Sequence, residues 1–496
     1  MLASRMPASL ARHAMLVAAL SCAVGLTSTA VADPPPPPPP PPGTYTASAH
    51  GSATSGVDRS TVDGSFASLA KGNCGHCHEQ HASVGGSEPL PNAPPGPSLA
   101  LGFGSEEALC ETCHNGTVVS RDVAAQVDKA YGHPIDDPAL ADRHSIGKKE
   151  AGQNGLPFRG TKRHVECADC HEPHSIGSPG STLHSFQSGS SGSNNLVSNP
   201  IKGVWGVEVS VEPSWGSAAT ASFTEQKPAT KEYQICFKCH TYYALQDGDG
   251  VTILTGPSGQ LVTDQAVEFS KSNRSVHPVR VGLTSQTASV APKALTAAQM
   301  KTPWDTELGT QTMYCSDCHG NDTTAPTDGR GPHGADSLYM LAGPDNTEWP
   351  RASLNSDELW DLDDVRNNRF SWSTKLLCAK CHVLYSGGAW TNGVHTAHDS
   401  RAFDDNPWKD AYINGVPCVT CHVAVPHGSK RSRLIGYRTD PEPYLLLDDK
   451  HGNAPFPVVT GFKKASTPSS YAGTHCYLPA GTGCGSHGTN DGGYDP

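Results

Sequence analysis

The sequence predicts a chain that is mostly coil, with short helices and few short strands, organised around large groups other than its own side chains. Three observations lead there. The 496 residues include 51 glycines and 41 prolines, well above the roughly 12 % of average usage. Aromatic residues make up only 7 %, so a core of ordinary size is hard to assemble from side chains alone. Fourteen of the 17 cysteines fall in seven copies of one five-residue pattern, Cys-x-x-Cys-His, with no fixed period between copies.

Residues 1–32 read as an export signal. Arg5 and Arg12 precede the apolar run "AMLVAALSCAVGL", and Ala30, Val31 and Ala32 offer small residues at the cleavage positions. A lipidated Cys22 in "ALSC" is the alternative reading of the same segment. Residues 33–66 read as a Pro-rich linker, because the nine prolines from Pro34 to Pro42 favour an extended, stiff spacer. No other stretch reaches the ~18 apolar residues of a membrane helix, so no transmembrane span is expected. The formal net charge is −12, and removal of the signal takes two arginines with it. That balance argues against nucleic-acid binding and suits basic partners. The expected location is outside the cytoplasm: periplasmic, outer-membrane-associated or extracellular.

The seven patterns are Cys74, Cys77 and His78; Cys110, Cys113 and His114; Cys167, Cys170 and His171; Cys236, Cys239 and His240; Cys315, Cys318 and His319; Cys378, Cys381 and His382; and Cys418, Cys421 and His422. Positions i, i+3 and i+4 share one face of a helical turn. Two thiols so placed can form thioethers with the two vinyl groups along one haem edge, and the histidine swings its imidazole under the iron. This is the c-type haem attachment pattern. Zinc sites and thioredoxin-like redox pairs also use Cys-x-x-Cys, but neither needs the histidine. Every Cys-x-x-Cys of this chain has it. Seven covalently attached haem c groups are the expected cofactors.

Each iron needs a sixth ligand or an open position. Beyond the signal the only methionines are Met300, Met313 and Met340, against 24 histidines in the whole chain, so bis-histidine ligation is expected. His133 and His277 each precede a proline. His333 and His427 each sit between a proline and a glycine. His81 and His174 trail their own motifs by three residues. His395 and His398 compete for the seventh place. His50, His144, His164, His184, His451, His475 and His487 have weaker contexts and are expected not to ligate, and His76 is expected to be exposed. His81 and His78 would share one side of a continuing turn, so His81 cannot easily reach the iron that His78 holds. The same applies to His174 and His171. If these trailing residues ligate, each serves a different haem.

The chain divides into residues 67–184 with motifs one to three, 185–230 as a Ser/Gly-rich insert, 231–345 with motifs four and five, 346–435 with motifs six and seven, and a tail, 436–496. The insert ends in a short strand marked by alternating Val207, Val209 and Val211. "SEEALCETCH" signals a helix with Glu106 and Glu107 in its first turn. "STKLLCAKCHVLY" suggests a helix carrying motif six, and "NSDELWDLDDV" one with a packing face. "DGDG" at Asp247 reads as a turn. In the tail, Cys476 and Cys484 are most simply a disulfide around "YLPAGTG".

The combination of "CxxCHxxH", "HPV", "GPHGA" and "CVTCHVAVPHGSKR" resembles the multihaem c-type cytochromes of metal-reducing bacteria, including cytochrome c3-like, doubled-motif and extracellular filament-forming members. The resemblance covers residues 67–435. It implies stacked, mostly bis-His haems in a continuous chain and a multihaem cytochrome c architecture. For His81 it implies that the iron served could belong to an adjacent subunit. The expected function is electron transfer without catalysis, toward redox partner proteins, extracellular acceptors or further copies of the chain as a homopolymer. The alternative is a multihaem oxidoreductase acting on a small nitrogen or sulfur compound at one open haem. All seven motifs end in histidine, which weighs against it.

Overall fold

The computed structural model describes residues 45–78, 106–135, 151–152, 156–157, 165–177, 195–245, 254–255, 261–289, 292–321, 329, 331–341, 377–383, 422–437, 439–441, 443–444, 459–464 and 471–476. All lie in the second of two compact units, Pro36–Pro496. The signal segment, Cys22, "NSDELWDLDDV", "DGDG" and Cys484 lie outside the described residues. Cys476 ends the strand Tyr471–Cys476, which pairs with Val459–Lys464.

Among the described residues, every sheet is a two-stranded antiparallel pair. The helices are short, Glu106–Glu111 having six residues. No helix there is long and apolar enough to cross a membrane. Much of the remainder is turn and coil, as so many glycines and prolines dictate.

The expected strand runs Gly206–Val211 and pairs with Ser222–Gln226, with Val207 opposite Glu225 and Val209 opposite Phe223. Val207 and Val209 turn into the core, while Val211 is 52 % exposed beyond a register shift. Beneath this hairpin lies the apolar core, formed with Tyr233, Phe237, Phe269 and Trp304. At its edge Arg280, with 1 % of its side chain exposed, donates to Glu212 Oε2 at 2.7 Å and Glu208 Oε1 at 3.1 Å. Burial disfavours ionisation of Glu208. Hydrogen bonds from Tyr233, Gln234 and Arg280 outweigh it and hold the carboxyl below its ordinary value. Arg280→Met should lower stability by about 3–5 kcal/mol in denaturant unfolding, because two partly buried carboxylates lose their shared cation.

Four findings refine the expected organisation. Residues 45–66 are folded, so the spacer does not extend through Phe66. Asp58 and Asp63 cap short 3₁₀ turns at Arg59–Thr61 and Gly64–Phe66, and Ala49 N donates to Ile176 O at 2.8 Å. Small polar residues make such local turns without an apolar core. Within 185–230, the chain from Asn195 onward is packed: Asn195, Ser198 and Val204 are buried, and the hairpin sits on the helix Glu232–Cys236. Around motif six the described residues form a 3₁₀ turn, Leu377–Lys380, instead of a longer helix. The segments expected to form separate modules also interlock. Tyr131–Gly132 pairs with Gly334–Ala335, and Ser275–Val276 pairs with Gly428–Ser429, so each ladder joins segments assigned to different modules.

Candidate metal centres

Six of the seven motifs lie among the described residues with both cysteines, and each closes the same turn. The backbone N–H of the motif histidine donates to the carbonyl of the first cysteine in all six, at 2.9–3.0 Å. That i to i+4 bond brings both thiols and the imidazole to one face. The twelve thiols are free of disulfides. Cys418 and Cys421 lie outside the described residues.

Each of these six motif histidines faces a second imidazole. His78 faces His174 with ring centres 5.9 Å apart, and His114 faces His50 at 6.2 Å. His171 faces His333 at 5.9 Å, and His240 faces His133 at 6.1 Å. His319 faces His427 at 5.9 Å, and His382 faces His277 at 6.3 Å. A metal–imidazole bond of about 2 Å puts the ring centre about 3 Å from the ion, so two rings on opposite sides of one iron lie about 6 Å apart. All six separations match that distance.

The second nitrogen of most of these rings is anchored. Nδ1 of His133 donates to Pro332 O at 2.7 Å, that of His171 to Pro200 O at 2.7 Å, and that of His319 to Tyr339 O at 2.8 Å. His277 Nδ1 donates to Pro426 O, and His50 Nδ1 to Pro173 O at 3.2 Å. Two rings use carboxylates: His174 Nδ1 meets Glu172 at 2.8 Å, and His427 Nδ1 meets Glu268 at 2.6 Å. A carbonyl or carboxylate acceptor puts the proton on Nδ1 and leaves the Nε2 lone pair for a metal. Burial pushes His240 and His382 down to about 3, and His114, His319 and His333 down to about 4. All five rings are therefore neutral at pH 7, the form that binds iron.

The pairing follows a rule that the sequence did not reveal. An odd-numbered motif takes the histidine trailing the next odd motif: His174 for motif one, His333 for motif three, His427 for motif five. An even-numbered motif takes a histidine from before the preceding odd motif: His50 for motif two, His133 for motif four, His277 for motif six. The two interlocking ladders enforce this. His133 sits on Pro332 and His277 on Pro426, in the same register. Two motifs, not one, form the repeating unit.

The equivalence extends to the junctions between motifs. Glu106, four residues before Cys110, accepts from Ala168 N inside motif three at 2.5 Å. Glu232, four residues before Cys236, accepts from Ser316 N inside motif five at 2.9 Å. At both junctions the first cysteines meet: Cys110 beside Cys167, and Cys236 beside Cys315. Burial pushes Glu106 up to about 7. Glu106, Cys110 and Cys167 come within 4.8 Å of one another, but each thiol belongs to a different Cys-x-x-Cys-His turn.

Two expectations about single histidines change. His50 faces His114, although its sequence context was weak; its place before motif one, matching His133 and His277 in the two-motif rule, is the signal that marks it. His76 is fully buried rather than exposed. Its Nδ1 accepts from Arg59 N at 3.3 Å and its Nε2 reaches Ala70 O at 3.0 Å, so neither nitrogen is left for a metal. His422 anchors its Nδ1 on Arg433 O at 2.9 Å. His81, His395 and His398, the candidates for remaining positions, lie outside the described residues. So do His144, His164, His184, His451 and His487.

Comparison with protein-family models, with curated proteins and with solved structures returns no match to this chain.

Proposed function

We propose that the chain is an exported multihaem c-type cytochrome that carries single electrons along seven covalently bound haems. The observation that carries this is the set of six imidazole pairs, each joining one Cys-x-x-Cys-His histidine to a second ring across a gap that fits one iron. Bound haem supplies a one-electron couple between ferric and ferrous iron. The chain's own residues do the rest. The attachment turns fix each haem edge through two thiols. Carbonyls and carboxylates at Nδ1 hold the rings in orientation and raise their basicity. The contacts between consecutive motifs keep the centres in chain order, as a relay requires.

The rival oxidoreductase needs one motif histidine without a ring opposite it. Motifs one to six each have one, so an open haem would have to sit at His422. Redox partner proteins, extracellular acceptors or further copies of the chain would deliver and receive the electrons, and the acidic balance favours basic partners over nucleic acid. A coulometric titration of the purified protein tests the reading. Seven electrons per chain with no turnover of nitrite, hydroxylamine or sulfite support the carrier; rapid turnover of one of them would favour the enzyme.

A further inference from the structure

We propose that Lys238 and Lys380 are potential-setting bridges, each placing an ammonium between two consecutive attachment turns so that the haems on both sides are easier to reduce. The inference rests on the haem reading above. The two lysines occupy the same place in their motifs, Cys236-Phe237-Lys238-Cys239 and Cys378-Ala379-Lys380-Cys381. Lys238 Nζ donates to the carbonyl of Asp169 at 2.5 Å, and Lys380 Nζ to that of Asp317 at 2.5 Å. Asp169 and Asp317 hold that same place in the preceding motifs, Cys167-Ala168-Asp169-Cys170 and Cys315-Ser316-Asp317-Cys318. One contact therefore recurs two motifs apart, at the junctions three–four and five–six.

The attachment chemistry does not ask for lysine there. The other motifs carry histidine, threonine or aspartate at that position. Lys238 is nevertheless 5 % exposed, with its ammonium 4.6 Å from the centre of the Trp205 ring. Burying an ammonium is costly unless something nearby gains from its charge. Each ammonium sits beside two attachment turns: Lys238 directly precedes Cys239 and reaches the carbonyl of Asp169, which precedes Cys170, and Lys380 directly precedes Cys381 and reaches that of Asp317, which precedes Cys318. A haem gains one negative charge when its iron is reduced, so a cation held at its edge favours the reduced state. At the junctions two–three and four–five the corresponding contact is made by a carboxyl group, Glu106 or Glu232, rather than by an ammonium.

The test is a spectroelectrochemical titration of the full-length, haem-loaded protein, with the haem content of the wild type measured first. Lys238→Met and Lys380→Met should each lower the reduction equilibrium constant of two of the seven haems by about tenfold, which is 59 mV for one electron. The double variant should move four. Lys238→Arg and Lys380→Arg should stay on the wild-type curve. If Lys238→Met fails to load or fold, Lys380→Met, at a more exposed lysine, carries the same test. Methionine variants that titrate like the wild type, or arginine variants that shift as far as methionine ones, would overturn the proposal. A wild type without haem would instead overturn the reading on which it rests.

Discussion

With the proposed seven haems bound, His277→Ala should leave the protein folded but turn one of them from low-spin to high-spin. The His277 ring lies 6.3 Å from that of His382 and is the only described ring paired with it as a prospective sixth ligand. The backbone around it survives the substitution, because His277 N still donates to His427 O at 2.9 Å and Ser275–Val276 still pairs with Gly428–Ser429. The absorption and EPR spectra should show about one-seventh of the iron as five-coordinate. Added imidazole should fill the gap and restore the low-spin signal. The same substitution at His76 should produce no high-spin iron, since both nitrogens of that ring are already engaged with Arg59 and Ala70. High-spin iron in both variants, or in neither, would show that the paired rings are not the ligands.

Glu268 is expected to have the second largest effect. It is fully buried, takes the Nδ1 proton of His427 at 2.6 Å on one oxygen, and takes the Tyr444 hydroxyl at 2.5 Å on the other. Glu268→Leu removes the acceptor shared by the half-buried His427 ring and the buried Tyr444 hydroxyl and should cost about 3 kcal/mol, read by denaturant unfolding. Glu268→Gln preserves shape and one acceptor, so its stability loss should be smaller. Its distinctive effect is electronic. A carboxylate on Nδ1 makes the imidazole a stronger donor and favours ferric iron. With the proposed haems bound, the amide should therefore raise the potential of the one held between His319 and His427 and leave the other six in place. A uniform shift of all seven would mean that Glu268 acts through the fold alone.

The local parts of this molecule were legible in the sequence and the long-range parts were not. Cys-x-x-Cys-His dictates its own turn, because the thiols and the ring must share one face within five residues. The helix at Glu106 and the strand at Val207 announced themselves by an acidic first turn and by alternation. Proline and glycine beside His133, His277, His333 and His427 marked four rings that face motif histidines in the structure. Which ring faces which was hidden, because it depends on ladder contacts between segments far apart: His133 Nδ1 and Pro332 O are 199 residues apart, and His277 Nδ1 and Pro426 O are 149. Those same contacts make the two-motif repeat, which unequal gaps between single motifs conceal. Turn geometry alone separates His174 from the metal position beneath His171, and His174 faces His78 instead. His50 lacked any flanking signal. The burial of His76 was hidden because it depends on the turn at Arg59, remote from the motif in sequence, packing against the ring.

The claim beneath all of this is that paired imidazoles hold the irons, and low-temperature EPR of the oxidised protein tests it most directly. Low-spin iron should dominate. Where two imidazole planes are parallel they raise the same iron orbital and split it from its partner; where they cross, the two orbitals stay nearly degenerate and the signal spreads. The ring planes meet at 7° for His78 with His174 and at 18° for His171 with His333, against 60–70° for the other four pairs. Two irons should therefore give ordinary rhombic low-spin signals and four should give strongly anisotropic ones. Predominantly high-spin iron, or a purified protein without iron, would contradict the account.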